Sequence, residues 1–173
     1  MNRRTFIISG ITISAAATAG WYILPNNKSD LSLQKLIAEL HELQTSQISF
    51  EGDWNSFQTF THLAQSVEFS MQGYPEHRSD VFKSTVGKAA FNVFSSKGYM
   101  KHNLLESIPG APVLAESGRT AEAIKRLINA LTTFDNYTGE LEEHFAYGKL
   151  SKEEYAIAHV LHARDHFSLM QTT

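Results

Sequence analysis

The stretch SKEEYAIAHVLHARDHFSL, Ser151 to Leu169, says most about how this chain folds. It opens with a capping-box pattern, Ser151 at the cap and Glu154 three residues on. In that pattern each side chain satisfies a backbone amide that the first turn leaves without a partner. The pattern predicts a helix from just after Leu150 to about Leu169. At 3.6 residues per turn His162 and His166 stand about 40° apart, one turn above the other. Tyr155, Ala158, His159 and Leu169 share their face, and Arg164 and Ser168 lie roughly opposite. The two histidines therefore point along the stripe that a globular fold turns inward. The i, i+4 spacing lets two imidazoles of successive turns meet one ion. It serves a hydrogen-bonded pair of core histidines equally well, and H-x-x-x-H alone does not choose.

Three more amphipathic helices precede it. Leu33, Leu36, Ile37, Leu40 and Leu43 recur at helical spacing and predict a first helix over Leu31 to Gln44. Phe57, Phe60, Leu63, Ala64, Val67 and Met71 predict a second from Trp54 to Met71, ended by Gly73 and Pro75. Ala121, Ile124, Leu127, Ile128, Leu131 and Phe134 line one face of a third, with Glu122, Lys125, Arg126 and Asn129 on the other. Between the second and third lies a long insert, Glu76 to Gly118. Its first part, Asp80 to Phe94, reads as a helix broken by Gly87. Its second part contains Ile108-Pro109-Gly110-Ala111-Pro112, which cannot be helical. No alternating strand of useful length, internal repeat or low-complexity tract is visible. The expected fold is all-α, a four-helix bundle with a long insert between helices 2 and 3.

Two ligands do not make a tight metal site, and bundle sites take the rest from facing helices. His62 on the second helix is the candidate third ligand. It stands about 160° from the centre of its helix's apolar stripe, beside Gln58, Gln65 and Phe69. Either this helix is buried on two sides, with the insert as the second cover, or His62 faces water.

Trp54, the His62 segment Phe60-Thr61-His62-Leu63, and His162-x-x-x-His166 on the last helix together resemble the DinB-like superfamily. That resemblance implies a four-helix bundle in which His62, His162 and His166 bind a divalent metal. Glu68 to Pro75, Ile108 to Pro112 and His144 to Lys152 look like one branch of it, known as a domain of unknown function. The likeness covers about residues 31 to 170. Many such chains carry Gln three residues after the last His, where this one has Leu169. Some relatives resemble thiol transferases or hydrolases, but no residue here identifies a thiol pocket.

Three neutral imidazoles leave one position of a tetrahedral ion open, which suits activation of water or of a thiolate. Zinc, nickel and iron all accept such ligands. Asp165 and Glu68 are candidates to orient the ligand rings, although solvated surface charge is the more ordinary role for each. His159 reads as a packed neutral ring. His144 reads as a turn residue stabilising the end of the third helix. His41 and His77 read as exposed, and His102 lies in the insert. Ile108 to Pro112 reads as a rigid lid over the site or as a surface turn. No Gly-rich phosphate loop, G-x-S-x-G elbow or H-E-x-x-H is present.

Composition narrows the classes further. The 173 residues contain no cysteine, which excludes disulfide scaffolds, Cys-ligated zinc, iron–sulfur clusters and thiol nucleophiles. Fifteen basic against 18 acidic residues give a net charge of −3, without the basic excess of a nucleic-acid binder. Arg3-Arg4-Thr5-Phe6-Ile7 resembles a twin-arginine export signal. Residues 1–28 read as that signal, or an N-terminal anchor, plus a linker, and 29–173 as the helical domain. Ala17-Thr18-Ala19 offers a cleavage site. Uncleaved, residues 6–24 make a membrane anchor, since Ile7 to Leu24 is close to the ~20 residues that span a bilayer. The expected location is periplasmic or otherwise exported, or at the inner membrane if the signal is kept. The expected partners are the export machinery in passing and a small-molecule substrate. The oligomeric state, a dimer included, is left open. Two functions of different class are compatible with these features: a metal-dependent hydrolase or thiol/group transferase, or a non-catalytic bundle that kept the fold and binds through its surface.

Overall fold

The computed structural model describes residues 31–172. The expected export signal or anchor, its candidate cleavage site and the linker up to residue 28 lie outside them. Among the described residues no helix is long and apolar enough to cross a membrane.

The described chain is mostly helical, as its apolar spacing predicts. Helix α1, Leu33–Leu43, is capped by Ser32, whose side chain accepts the Lys35 amide. Its stripe of Leu33, Leu36, Leu40 and Leu43 is buried, and Leu36 and Leu40 are wholly so. Each of those two side chains contributes roughly 1.5–3 kcal/mol by leaving water. Helix α2, Ser56–Gln72, begins two residues later than predicted because Asn55 and Gln58 form a capping box there. In the insert, α3, Asp80–Phe82, runs through a π-helical turn, Lys83–Gly87, into α4, Lys88–Lys97. Helix α5 spans Thr120–Asn136, and α6 spans Lys152–Phe167. Ser151 and Glu154 cap α6 reciprocally, as their spacing requires.

One difference is a small antiparallel ribbon. Strand β1, Ile48–Phe50, pairs with β2, Met170–Thr172, with Ser49 opposite Gln171. Strands of three residues carry too little alternation to be read in sequence. Their pairing ties the chain after α1 to the chain after α6.

Helices α1, α2, α5 and α6 supply most of one apolar core, joined by Phe91 of α4. Helix α2 is central to it, and every residue from Thr59 to Val67 is buried. One side meets α5 and α6; the insert and the Tyr74 side chain just before it cover the other. Asn55 donates to Glu116 O at 2.8 Å, Tyr74 donates to Ser66 O at 3.2 Å, and Gly118 lies against the Phe57 ring.

Gly87 does not break its helix, contrary to expectation. Its φ of −61° is helical. A side chain is excluded there for another reason: a Cβ would stand 1.9 Å from Ala146 O. The residue allows the insert helix to touch the backbone of the turn before α6. Buried Lys83 reinforces the contact, pairing with Glu143 at 2.8 Å and with Asp80 at 3.0 Å.

Gly87→Ala therefore forces helix and turn apart. A loss of about 1–3 kcal/mol, the usual cost of overpacking, is expected in urea unfolding. An unchanged midpoint would show that the close approach is not needed.

Candidate metal centre

Three histidines distant in sequence meet at one point. His62 comes from the middle of α2, and His162 and His166 from successive turns of α6. His162 Nε2 lies 3.2 Å from His62 Nε2 and 3.2 Å from His166 Nε2. One ring nitrogen from each residue lies within 4.8 Å of the other two. The alternative open in the sequence is settled for His62: it is buried, because the insert covers the second side of α2.

Hydrogen bonding alone accounts poorly for this meeting. A neutral imidazole nitrogen carries either one proton or one lone pair, lying in the ring plane. His162 Nε2 faces two other nitrogens and can bond well to only one. A single cation uses one lone pair from each ring. Ligands at the usual metal–imidazole length of ~2.05 Å with tetrahedral angles stand about 3.3 Å apart, against the 3.2 Å found. The donors are nitrogens with no thiolate, a set that accepts zinc, nickel or iron. The three residues could therefore hold a metal ion.

Electrostatics favour the neutral, ligating form. Burial pushes His62 and His166 down to about 3, and neighbouring imidazoles, among them His102, add to it. The same burial, then the surrounding His62, His166 and His102, hold His162 well below the ordinary histidine range. Trp54 forms one wall. Its ring stacks parallel to His166 at 6.1 Å and stands 4.9 Å from His62.

A fourth imidazole belongs to the cluster and was not singled out from sequence. His102 sits 5.0 Å from the His162 ring and 5.3 Å from the His166 ring. Its Nδ1 donates to Asp165 Oδ2 at 2.7 Å, and its backbone amide donates to the same oxygen at 3.0 Å. Asp165 is thus a buried carboxylate orienting His102, rather than the solvated charge its type suggests. Nothing in an aperiodic insert marks His102 apart from its being a histidine. Glu68, the other carboxylate considered, makes a two-pronged pair with Arg126 at 2.8 and 2.6 Å on the α2–α5 surface. It takes no part in the cluster.

The remaining histidines sort clearly. His41 and His77 are exposed. His159 is a buried ring packed edge-on to Phe134 at 4.9 Å, as expected. His144 departs from expectation. It does not hold the end of the third long helix, α5. Its Nδ1 accepts the amides of Ala146 and Tyr147 at 3.1 and 3.2 Å, and its backbone bridges to Gly148, so it organises the turn that leads into α6.

A cavity of about 190 Å³ adjoins the cluster, bordered by His62 and His162 on one side. Ile108 is buried and forms part of its wall, while Gly110 and Pro112 are exposed. The Ile108–Pro112 segment thus acts as a wall by one residue and as surface turn by the rest.

The geometry defines a helical protein with a buried three-histidine cluster able to take a metal ion beside a small cavity. The chain belongs to the family described as "Protein of unknown function (DUF1569)", whose model matches residues 26–173. No curated protein and no solved structure matches it.

The buried histidines make stability depend on pH. His159 is held down to about 3 by burial, and His144 well below its ordinary range by burial, then by His159 and His77. Unfolded, both titrate near 6.5. Below that pH the unfolded chain binds more protons, so stability is full above about 6.5 and falls as pH drops toward 3. Urea midpoints of the metal-free protein should decrease steadily from pH 7 to pH 5, and less steeply in His159→Phe. A midpoint flat over that range would contradict the burial of neutral rings.

Proposed function

We propose that this chain is an exported metalloprotein. His62, His162 and His166 hold one divalent ion (zinc, nickel or iron), and the protein acts on a small molecule in the adjoining cavity as a hydrolase or thiol/group transferase. The observation that carries this reading is the meeting of three neutral ring nitrogens, two of them 3.2 Å from the third. The arrangement of the ligands supports a DinB-like four-helix bundle built from α1, α2, α5 and α6: one His on the second long helix, and an H-x-x-x-H pair on the last.

Bound there, a divalent ion supplies Lewis-acid polarisation and an activated nucleophile at neutral pH. The chain's own residues supply the rest. Trp54 packs against the rings of His62 and His166. His102, fixed by Asp165, stands over the rings of His162 and His166. The cavity leaves an approach to the cluster past His62 and His162. The acidic balance of the chain gives nucleic acid no attraction.

Delivery by the twin-arginine route rests on Arg3, Arg4 and the uncharged run behind them. Such export lets the protein fold, and take its metal, before it crosses. It places the protein in the periplasm, or on the inner membrane if residues 6–24 are kept.

Elemental mass spectrometry of the untagged protein tests the centre. About one metal ion per chain is expected, lost in His162→Ala and kept in His77→Ala. No uptake after incubation with Zn²⁺, Ni²⁺ and Fe²⁺ would overturn the metal reading and leave the non-catalytic bundle. Cell fractionation tests the route: replacing both Arg3 and Arg4 by Lys should trap the protein in the cytoplasm, and unaltered export would refute it.

A further inference from the structure

Two buried histidines outside the three-histidine cluster border the same cavity, and hydrogen bonding fixes the proton of each. His144 Nδ1 accepts two backbone N–H groups, so it carries a lone pair, and the neutral ring has its proton on Nε2. The Ser70 hydroxyl gives its only proton to Val67 O at 2.7 Å. His159 Nε2, 3.3 Å from that hydroxyl oxygen, must therefore donate to it, which leaves the lone pair on Nδ1. Both rings lie on Tyr155, at 6.0 and 5.5 Å, so they belong to one patch of wall.

Each ring has one nitrogen left over, a donor on His144 and an acceptor on His159. Neither has a protein partner among the described residues. Nor is either sealed, since among those residues no closed-off side-chain nitrogen or oxygen lacks a partner. The cavity is the space that both rings border. Ser66, one turn beyond His62 on α2, adds a hydroxyl to the same wall: it is 6 % exposed and faces the Tyr74 hydroxyl. Met100 and Ile108 give the wall an apolar side. Arg78 and Glu106, which also border the cavity, are paired to each other at 3.1 Å.

We propose that His144, His159 and Ser66 form a recognition site for an uncharged amide-type group. His144 Nε2–H donates to the amide oxygen, His159 Nδ1 accepts an amide N–H, and the apolar remainder of the ligand lies against Met100 and Ile108. A carboxylate offers no proton to His159 and would leave that lone pair facing an anion, a buried mismatch that costs affinity. A hydrocarbon satisfies neither nitrogen. The cavity, at about 190 Å³, has room for a compact molecule of benzene-ring size. This deepens the proposed function by naming the chemical class of its small molecule. It rests on that reading only for the chemistry after binding.

The test is NMR of the ¹⁵N-labelled full chain, titrated with benzamide, benzoate and toluene, with and without Zn²⁺. Long-range ¹H–¹⁵N spectra should show both rings protonated at Nε2. Benzamide should move the free-nitrogen signals of His144 and His159 and bind at least about tenfold more tightly than benzoate or toluene, in line with two net hydrogen bonds. Ser66→Ala should weaken benzamide severalfold, and His159→Phe should erase its advantage over toluene. If His159→Phe does not fold, the wild-type titration and Ser66→Ala carry the test. A Nδ1–H tautomer at either ring, or benzamide no tighter than benzoate and toluene, overturns the proposal. The two readings separate cleanly. Benzamide preference in a chain that takes up none of Zn²⁺, Ni²⁺ and Fe²⁺ would sink the metal centre and keep this site. Zn²⁺ uptake without benzamide preference would do the reverse.

Discussion

Helix α2 is buried on both sides, and the site exists because of it. From Thr59 to Val67 no side chain is left to water, yet Thr59, Thr61, His62, Gln65 and Ser66 are polar. A polar face goes into an interior only if its groups find partners. The threonines turn back on their own helix, Thr59 to Asn55 O at 3.1 Å and Thr61 to Phe57 O at 2.7 Å. His62 finds the imidazoles of α6. The face therefore lines a polar pocket under the insert, not a second apolar core.

That cover has to be held in place, and the turn before α6 holds much of it. Arg78 N–H donates to Phe145 O at 2.9 Å, Gly87 lies against Ala146 O, and Lys83 reaches Glu143. Further along, His102 is fixed by Asp165 of α6. The insert is thus fastened to the chain just before α6 and to α6 itself. The cavity is the space between these fastenings and α2. Four imidazoles that border it, His62, His144, His159 and His162, and His166 beside His162 are neutral for a common reason: the cover removes the water that would solvate a charge.

Some parts of the site were legible before folding because they are written in local spacing. The caps at Ser151 and Glu154, the leucines of α1 and the 40° offset of His162 and His166 come from 3.6 residues per turn. Other parts had no local sign. His62 looked misplaced on its helix because a helical wheel registers one buried face, and α2 has two. Asp165 looked like surface charge because its partner, His102, lies 63 residues away in an aperiodic segment. Gly87 looked like a helix breaker because its purpose is contact with Ala146, which no local pattern contains. His144 looked like a helix-end residue because the cavity it borders is closed by distant chain.

Residue type and nearest turns were enough to specify the helices, their caps, the inward pair on α6 and the absence of thiol chemistry. It took the folded chain to turn His62 inward, to bring His102 and Asp165 to it, and to set His144 and His159 on one cavity wall. The difference is one of range. A helix is specified by contacts three and four residues away, whereas a covered polar face is specified by whatever distant segment comes to lie on it.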